Sequence, residues 1–469
     1  MIYGRLTTSL IAPRTPQRSV PTYCAARSVR FIFAHSGFAR FAATQLVMLQ
    51  ILWLSASLAA AAENLGPLGA KPRWNVLERY QESITRADFE RLLQTVYCTH
   101  GIPPDAITIN EKSARILKNR EAKTYFTLRF ARNDAERKRI PRLWRPANSL
   151  PPVKREKPLS NLKIAIDPGH IGGKWAKMEE RWIQVGETPP VQEGDLTLRV
   201  AKLIAPRLTA LGAKISLVRK NLEPVTPLRP DDFKALARKI LIRNGVPEPL
   251  PTDVDPAGAA REGTIRWQSE ILFYRYSEIR RRASLINGKL HPDLVLCLHF
   301  NAEGWGDPST PTLIDSNHLH LLVNGSYLEA ELELDDVRFE MVRRLLSRVY
   351  DEELPLAEKS AEVMARQTGL PPYQYPTDKV AMKAGQTGYV YARNLLATRI
   401  YRAPVVYFEP YVMNSHDGFA RIQAGDFEGT RTINGVERKS IFREYSDAVV
   451  DGLVEYYSAR RAPLPIKGL

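Results

Sequence analysis

Three stretches of this chain, residues 162–166, 294–299 and 404–409, are apolar at nearly every position rather than at alternate ones. A strand with one face in water alternates apolar and polar residues. A strand packed on both faces does not, so these runs require a sheet covered by helices on both sides. The intervening sequence supplies the helices. Leu196, Val200, Leu203, Ile204, Leu208 and Leu211 recur at helical spacing, with Pro206 as a kink point and Gly212 as a cap; Phe442, Tyr445, Val449, Leu453 and Tyr456 stripe a closing helix. Residues 214–218 and 320–323 add strand candidates. The expected fold class is α/β: a mostly parallel open sheet with helices on both faces, two insertions, and a small N-terminal α+β accessory unit. A composition of 44% hydrophobic and 25% charged residues excludes collagen, a disordered tail and a polytopic membrane protein.

Residues 1–62 hold Arg5, Arg14, Arg18, Arg27, Arg30 and Arg40 and no Asp, Glu or Lys. An apolar run over residues 46–58 and the small residues Ala59 to Ala62 follow, the order of a signal peptide or leader cleaved on export. The run is shorter than the ~20 residues of a spanning helix, so no stable transmembrane span is expected after cleavage. The periplasm or cell envelope is the expected location. Met48 inside the run leaves the true start codon open. Residues 63–155 read as an N-terminal accessory domain and linker, with a helix over 77–97, strands near 106–109 and 124–130, and then Pro141, Pro146, Pro151, Pro152 and Pro158 among basic residues. Residues 156–461 form the main domain. Insertions near 221–275 and 305–355 interrupt it, and their length suits lids, binding loops or extra helices. Beyond the leader only Cys98 and Cys297 remain, too few for a disulfide scaffold. Cys297 reads as a small buried hydrophobe, with a bridge to Cys98 as the alternative.

Lys and Arg number 67 against 51 Asp and Glu, a net charge of +16, of which the six arginines of the leader account for part. Such a surplus favours an anionic partner: nucleic acid, anionic lipid or an acidic polymer. No basic helix and no basic sheet interleaved with aromatics supports nucleic acid, so no nucleic-acid partner is expected.

The chemistry-bearing residues sit where strands end. Asp167-Pro168-Gly169-His170-Ile171-Gly172-Gly173 follows the first strand directly, on the edge where open α/β sheets build their sites. The glycines can be read as a phosphate cradle or as a tight turn presenting His170 to a metal. The spacing is not GxGxxG and no helix-forming run follows directly, which favours the histidine. His299 ends a second buried strand, beside Asn301. Glu193 opens the helix at 194, with Glu187 as the nearest substitute. Two imidazoles and one carboxylate leave a fourth tetrahedral position open, the arrangement of catalytic rather than structural zinc. Glu409 ends a further strand and suits a general base that takes a proton from water and later gives it to a leaving amine.

These residues resemble a known family, the zinc-dependent N-acetylmuramoyl-L-alanine amidases of bacterial cell walls. The likeness rests on Asp167-Pro168-Gly169-His170, Glu193 with the helix that follows, residues 212–219, residues 282–287, His299-Phe300-Asn301 and Pro404-Val405-Val406-Tyr407-Phe408-Glu409, over about residues 162–457. The resemblance implies that His170, Glu193 and His299 hold Zn2+, that Glu409 is the catalytic carboxylate, and that the substrate is the amide between the lactyl group of muramic acid and L-alanine of the stem peptide. Peptidoglycan is the implied partner, with an activating protein as a further candidate. Three departures are visible: Ile171 stands where the family has glycine, the loop from His170 to Glu193 is longer, and Glu409-Pro410-Tyr411 replaces Glu-Thr-Gly. The alternative function is a non-catalytic peptidoglycan-binding protein that keeps the fold.

Secondary candidates complete the list. Asp167 can accept a ring N–H from a zinc histidine or make the Asp-Pro turn. Asn301 and Arg393 are candidates for gripping the peptide. His318 and His320 share one strand face and can be read as a second metal or substrate contact or as polar residues of a half-exposed strand. The acidic residues 329–336 can be read as a removable cover over the zinc or as a solvated helix face.

Overall fold

The computed structural model describes residues 63–251, 263–304, 306 and 310–462; the expected leader lies outside them. The main sheet has seven strands: β1 (Lys163–Pro168), β2 (Lys214–Leu217), β3 (Leu294–Leu298), β4 (Leu319–Val323), β5 (Met382–Ala384), β6 (Val390–Ala392) and β7 (Val405–Pro410). Their order is β5-β6-β4-β7-β3-β1-β2. From β2 to β7 the four neighbours are parallel; β4 joins β7 antiparallel, β6 runs parallel to β4, and β5 closes the edge antiparallel to β6. The fold class read from the apolar runs is the one observed.

Strand alternation sorts the apolar side chains into two cores. Ile164, Ile166, Leu294, Leu296, Leu298, Val406 and Phe408 face one side, where they pack with helices α1 (Glu193–Ala210), α4 (Tyr350–Thr368) and α6 (Ile441–Arg460). Ala165, Val295, Cys297, Val405 and Tyr407 face the other, against α2 (Glu278–Leu285) and α5 (Leu396–Ile400). Helix α1 buries Leu196, Val200, Ile204 and Leu208, one stripe at four-residue spacing. Cys98 and Cys297 are buried and free, so the alternative of a bridge is not realised.

The described residues of the two long stretches are structured. Residues 230–243 and 265–271 are helical, and Phe233, Leu241, Ile265 and Phe273 form a satellite core that also contains Ile171. This explains the departure at 171: a glycine there offers no side chain, whereas Ile171 anchors the site loop in that core. The second stretch threads β4 into the sheet and continues into α3 (Asp335–Ser347). The acidic residues are not a cover. They hold the start of the described chain, Asp335 and Asp336 accepting from the Asn64 and Gly66 N–H groups, while Glu333 pairs with Arg120.

The accessory unit is a three-stranded antiparallel sheet (Ile107–Ile109, Ser113–Asn119, Thr124–Arg129) beside short helical segments. The single helix expected over 77–97 is divided. A 3-10 turn spans Trp74–Tyr80, Glu82 takes a positive φ of 61°, and Thr85 then caps a new helix at Arg86–Leu92 by accepting the Asp88 N–H. Trp74, Phe89 and Leu128 pack with Phe339, Met341 and Leu345 of α3, so the unit shares a hydrophobic core with the main domain. No helix of the described residues is long and apolar enough to cross a membrane.

Candidate metal centre

Register decides which side chains meet. Pro168 and Phe408 both pair with Leu298, so His299 and Glu409 come next on their strands, and Glu409 lies directly opposite His320 of the antiparallel β4. Cys297 and Tyr407 face α2 and α5; two residues further on, His299 and Glu409 face the same way. The His299 ring stacks on Tyr407 with centroids 4.1 Å apart.

His170 lies two residues past β1 with φ 55°, a left-handed conformation that must be held by its surroundings. Arg282, buried on α2, holds it. Its guanidinium donates to the carbonyls of Pro168 (2.7 Å) and His170 (2.8 Å), to Asp167 Oδ1 (2.9 Å) and to Glu278 Oε1 (2.8 Å). Asp167 therefore has a different partner from the zinc histidine expected for it: its carboxylate takes Arg282 and the Tyr401 hydroxyl (2.6 Å). It acts on His170 only through Arg282. The carboxylate nearest the outer ring nitrogen is Glu179, whose Oε1 lies 3.7 Å from His170 Nδ1 and whose Oε2 accepts the Ile171 N–H at 2.8 Å. Glu179 and Arg181 lie in the long loop and carry no motif that would have marked them.

Glu193 is the first residue of α1 and is buried. Its helix end presses on the His170 loop so closely that a Cβ on Gly194 would stand 2.3 Å from the Gly172 nitrogen. Glu193 Oε2 lies 3.2 Å from His170 Nε2, and Oε1 lies 2.9 Å from His299 Nδ1. One ligand atom from each residue falls within 4.8 Å of the others. A tetrahedral zinc with bonds near 2.0 Å has ligand atoms about 3.3 Å apart, so the donor set and its spacing fit the ion. Glu187 is exposed and outside the cluster. The second metal site considered at His318 and His320 is not formed: their rings are 6.2 Å apart, and the described residues contain no other cluster of three such donors.

The electrostatics suit a ligand set. Burial lowers the His170 pKa well below its ordinary value, which keeps the ring neutral as coordination requires. Burial works against the Glu193 carboxylate, yet His170, His299 and Arg181 hold its pKa below the ordinary value. Arg181 Nε sits 3.1 Å from Glu193 Oε2. Glu409 behaves oppositely: burial first, then the charge of Glu193, push its pKa well above the usual carboxylate range, against the pull of Arg181 and Arg393. All these groups line one cavity of about 40 Å³, together with Asn301. That volume admits an ion and a few waters.

Gly169 shows how tightly the centre is built. A Cβ there would lie 2.2 Å from His299 Cε1 and 2.4 Å from Nε2. Gly169→Ala is expected to displace the His299 ring and to weaken zinc binding by about 10–100-fold, the size typical of lost support behind a ligand. Competition with a chromophoric chelator measures it; unchanged affinity would place His299 outside the ligand set.

No family model matches the chain, and no curated protein matches it. Among solved structures it is similar to an N-acetylmuramyl-L-alanine amidase of Mycobacterium smegmatis, at 17% identity and a TM-score of 0.32, over 64% of this chain and 99% of that one. It is also similar to the CwlD amidase of Clostridioides difficile, solved in complex with the GerS lipoprotein, at 11% identity and a TM-score of 0.34, over 64% of this chain and all of that one (100%). A third, the N-acetylmuramoyl-L-alanine amidase AmiC2 of Nostoc punctiforme, is 14% identical with a TM-score of 0.33, over 64% and 99% of the two chains. What the centre can do is decided by its own residues.

Proposed function

We propose that this chain is an exported zinc-dependent N-acetylmuramoyl-L-alanine amidase that hydrolyses the amide between the muramic acid lactyl group and L-alanine of peptidoglycan stem peptides. The observation that carries the reading is the meeting of His170, Glu193 and His299 with Glu409 around one cavity. These residues lie just past β1, at the start of α1, just past β3 and on β7, and are the ones on which the family resemblance rests.

Zinc held by His170, Glu193 and His299 would supply Lewis acidity, polarising the amide carbonyl and making water a better nucleophile at neutral pH. The protein's own residues do the rest. Glu409, unpaired with any ligand and raised in pKa by burial, takes a proton from the attacking water and passes it to the departing nitrogen of alanine as the C–N bond breaks. The products are a free lactyl carboxylate and a peptide with a free amino terminus. Tyr407 fixes the His299 ring from behind, and Arg393, half-buried in the lining, offers a cation to the peptide. Peptidoglycan is the proposed partner, and the net positive charge favours retention on anionic envelope polymer.

The purified chain is expected to hold about one zinc and to release from sacculi stem peptides that begin with a free alanine; His299→Ala should hold none and release nothing. A zinc-containing chain that releases only reducing sugar ends, or nothing while sedimenting with sacculi, would defeat the proposal; the second result would identify the non-catalytic binding protein.

A further inference from the structure

Beside the start of β4 the centre adjoins a second cavity. His318 precedes His320 by two residues on the same strand face, and the Tyr373 ring lies against both, 4.3 Å and 5.0 Å between centroids. Tyr373 lines both cavities. The second has a volume of about 540 Å³, within the range of ligand pockets, against the few tens of the first.

Its charge runs against that of the chain. Glu303 and Asp315 line it, and among the described residues no Lys or Arg does. Glu303 Oε1 accepts from Ser316 Oγ (3.0 Å) and His318 Nε2 (2.8 Å), while Oε2 has no protein partner among the described residues. His318 is 4% exposed, and its Nδ1 is a buried acceptor with nothing donating to it. Burial lowers the His318 pKa against the opposing pull of Glu303, which favours the neutral imidazole. Pro371, Pro372, Pro376 and the Tyr373 ring supply apolar wall, and the ring is shared with the metal centre. A fixed anion, an unsatisfied acceptor and an apolar approach match one chemical group: a primary ammonium on an alkyl chain.

We infer that this cavity is a substrate subsite for a stem-peptide residue with a free side-chain amine, selected by Glu303 with Asp315 at the rim. The inference rests on the amidase reading above. Tyr373 marks the boundary between the part of the substrate that is cleaved and the part that is recognised.

The test uses muramoyl peptides whose diamino residue has either a free or an Nε-acetylated side chain, titrated by calorimetry into the full-length chain carrying Glu409→Gln so that nothing is hydrolysed. The free amine is expected to bind about tenfold more tightly, the size of one lost charge-assisted contact. Adding Glu303→Gln should erase that preference and leave the acetylated peptide unchanged. Asp315→Asn, at a fully exposed position, should reduce it in part. Equal affinity for both peptides, no binding of either, or an equal weakening of both by Glu303→Gln would overturn the subsite. Turnover by the chain with Glu409 intact is read separately: preference without turnover defeats the amidase and leaves the ammonium subsite standing, and turnover without preference does the reverse.

Discussion

Glu409→Gln is expected to lower stem-peptide release by about 10²–10⁴-fold while zinc content and substrate affinity stay as they are. The substitution keeps the shape and removes the capacity to accept a proton. Glu409 is not one of the clustered donors: the cluster is His170, Glu193 and His299, and Glu409 adjoins it through the register that pairs Phe408 with Leu298. Losing the base should therefore fall on kcat. Release from sacculi, followed by labelling of new amino-terminal alanine, measures the rate, and metal analysis of the same sample measures zinc. Loss of zinc in the variant would make Glu409 a ligand, and an undiminished rate would remove it from the chemistry.

How much of this was legible follows from where each residue lies. His170, His299 and Glu409 follow runs that are apolar at nearly every position, and such runs announce a strand, its end and hence the edge where side chains from distant parts of the chain meet. Glu193 was legible because a carboxylate opens a long amphipathic stripe. Glu179 and Arg181 were not, because they sit in a loop whose path is set by Ile171 entering the satellite core, a tertiary contact that no local period encodes. Strands β5 and β6 have three residues each, too few to show alternation. The second cavity was half visible. His318 and His320 on one strand face suggested a metal, but the partner that completes the pair, Glu303, comes from a loop after β3 and forms a hydrogen bond instead. The division of the first expected helix shows a local capping residue, Thr85, overriding an apolar pattern that would otherwise run on.

Arg282→Met is expected to cost about 3–5 kcal/mol of stability and to weaken zinc binding in whatever fraction remains folded. Arg282 is 4% exposed, and its removal leaves Asp167 and Glu278 as buried carboxylates without their cation. The lost packing is small, since Met fills much of the same volume; the cost is electrostatic. The fall is read from the urea midpoint by far-UV circular dichroism. Arg282→Lys separates the two roles. Lysine restores a positive charge near Asp167 and Glu278, so stability should recover in part. Its three donors diverge from one atom, however, and cannot reach Glu278, Asp167 and the carbonyls of Pro168 and His170 as the planar guanidinium does. The left-handed backbone at His170 then loses the bond to its carbonyl. Zinc affinity is accordingly expected to stay low in Arg282→Lys even where the fold is regained. Stability and affinity recovering together would mean that Arg282 serves the fold alone and that the conformation of His170 is held by Glu179 and the turn itself.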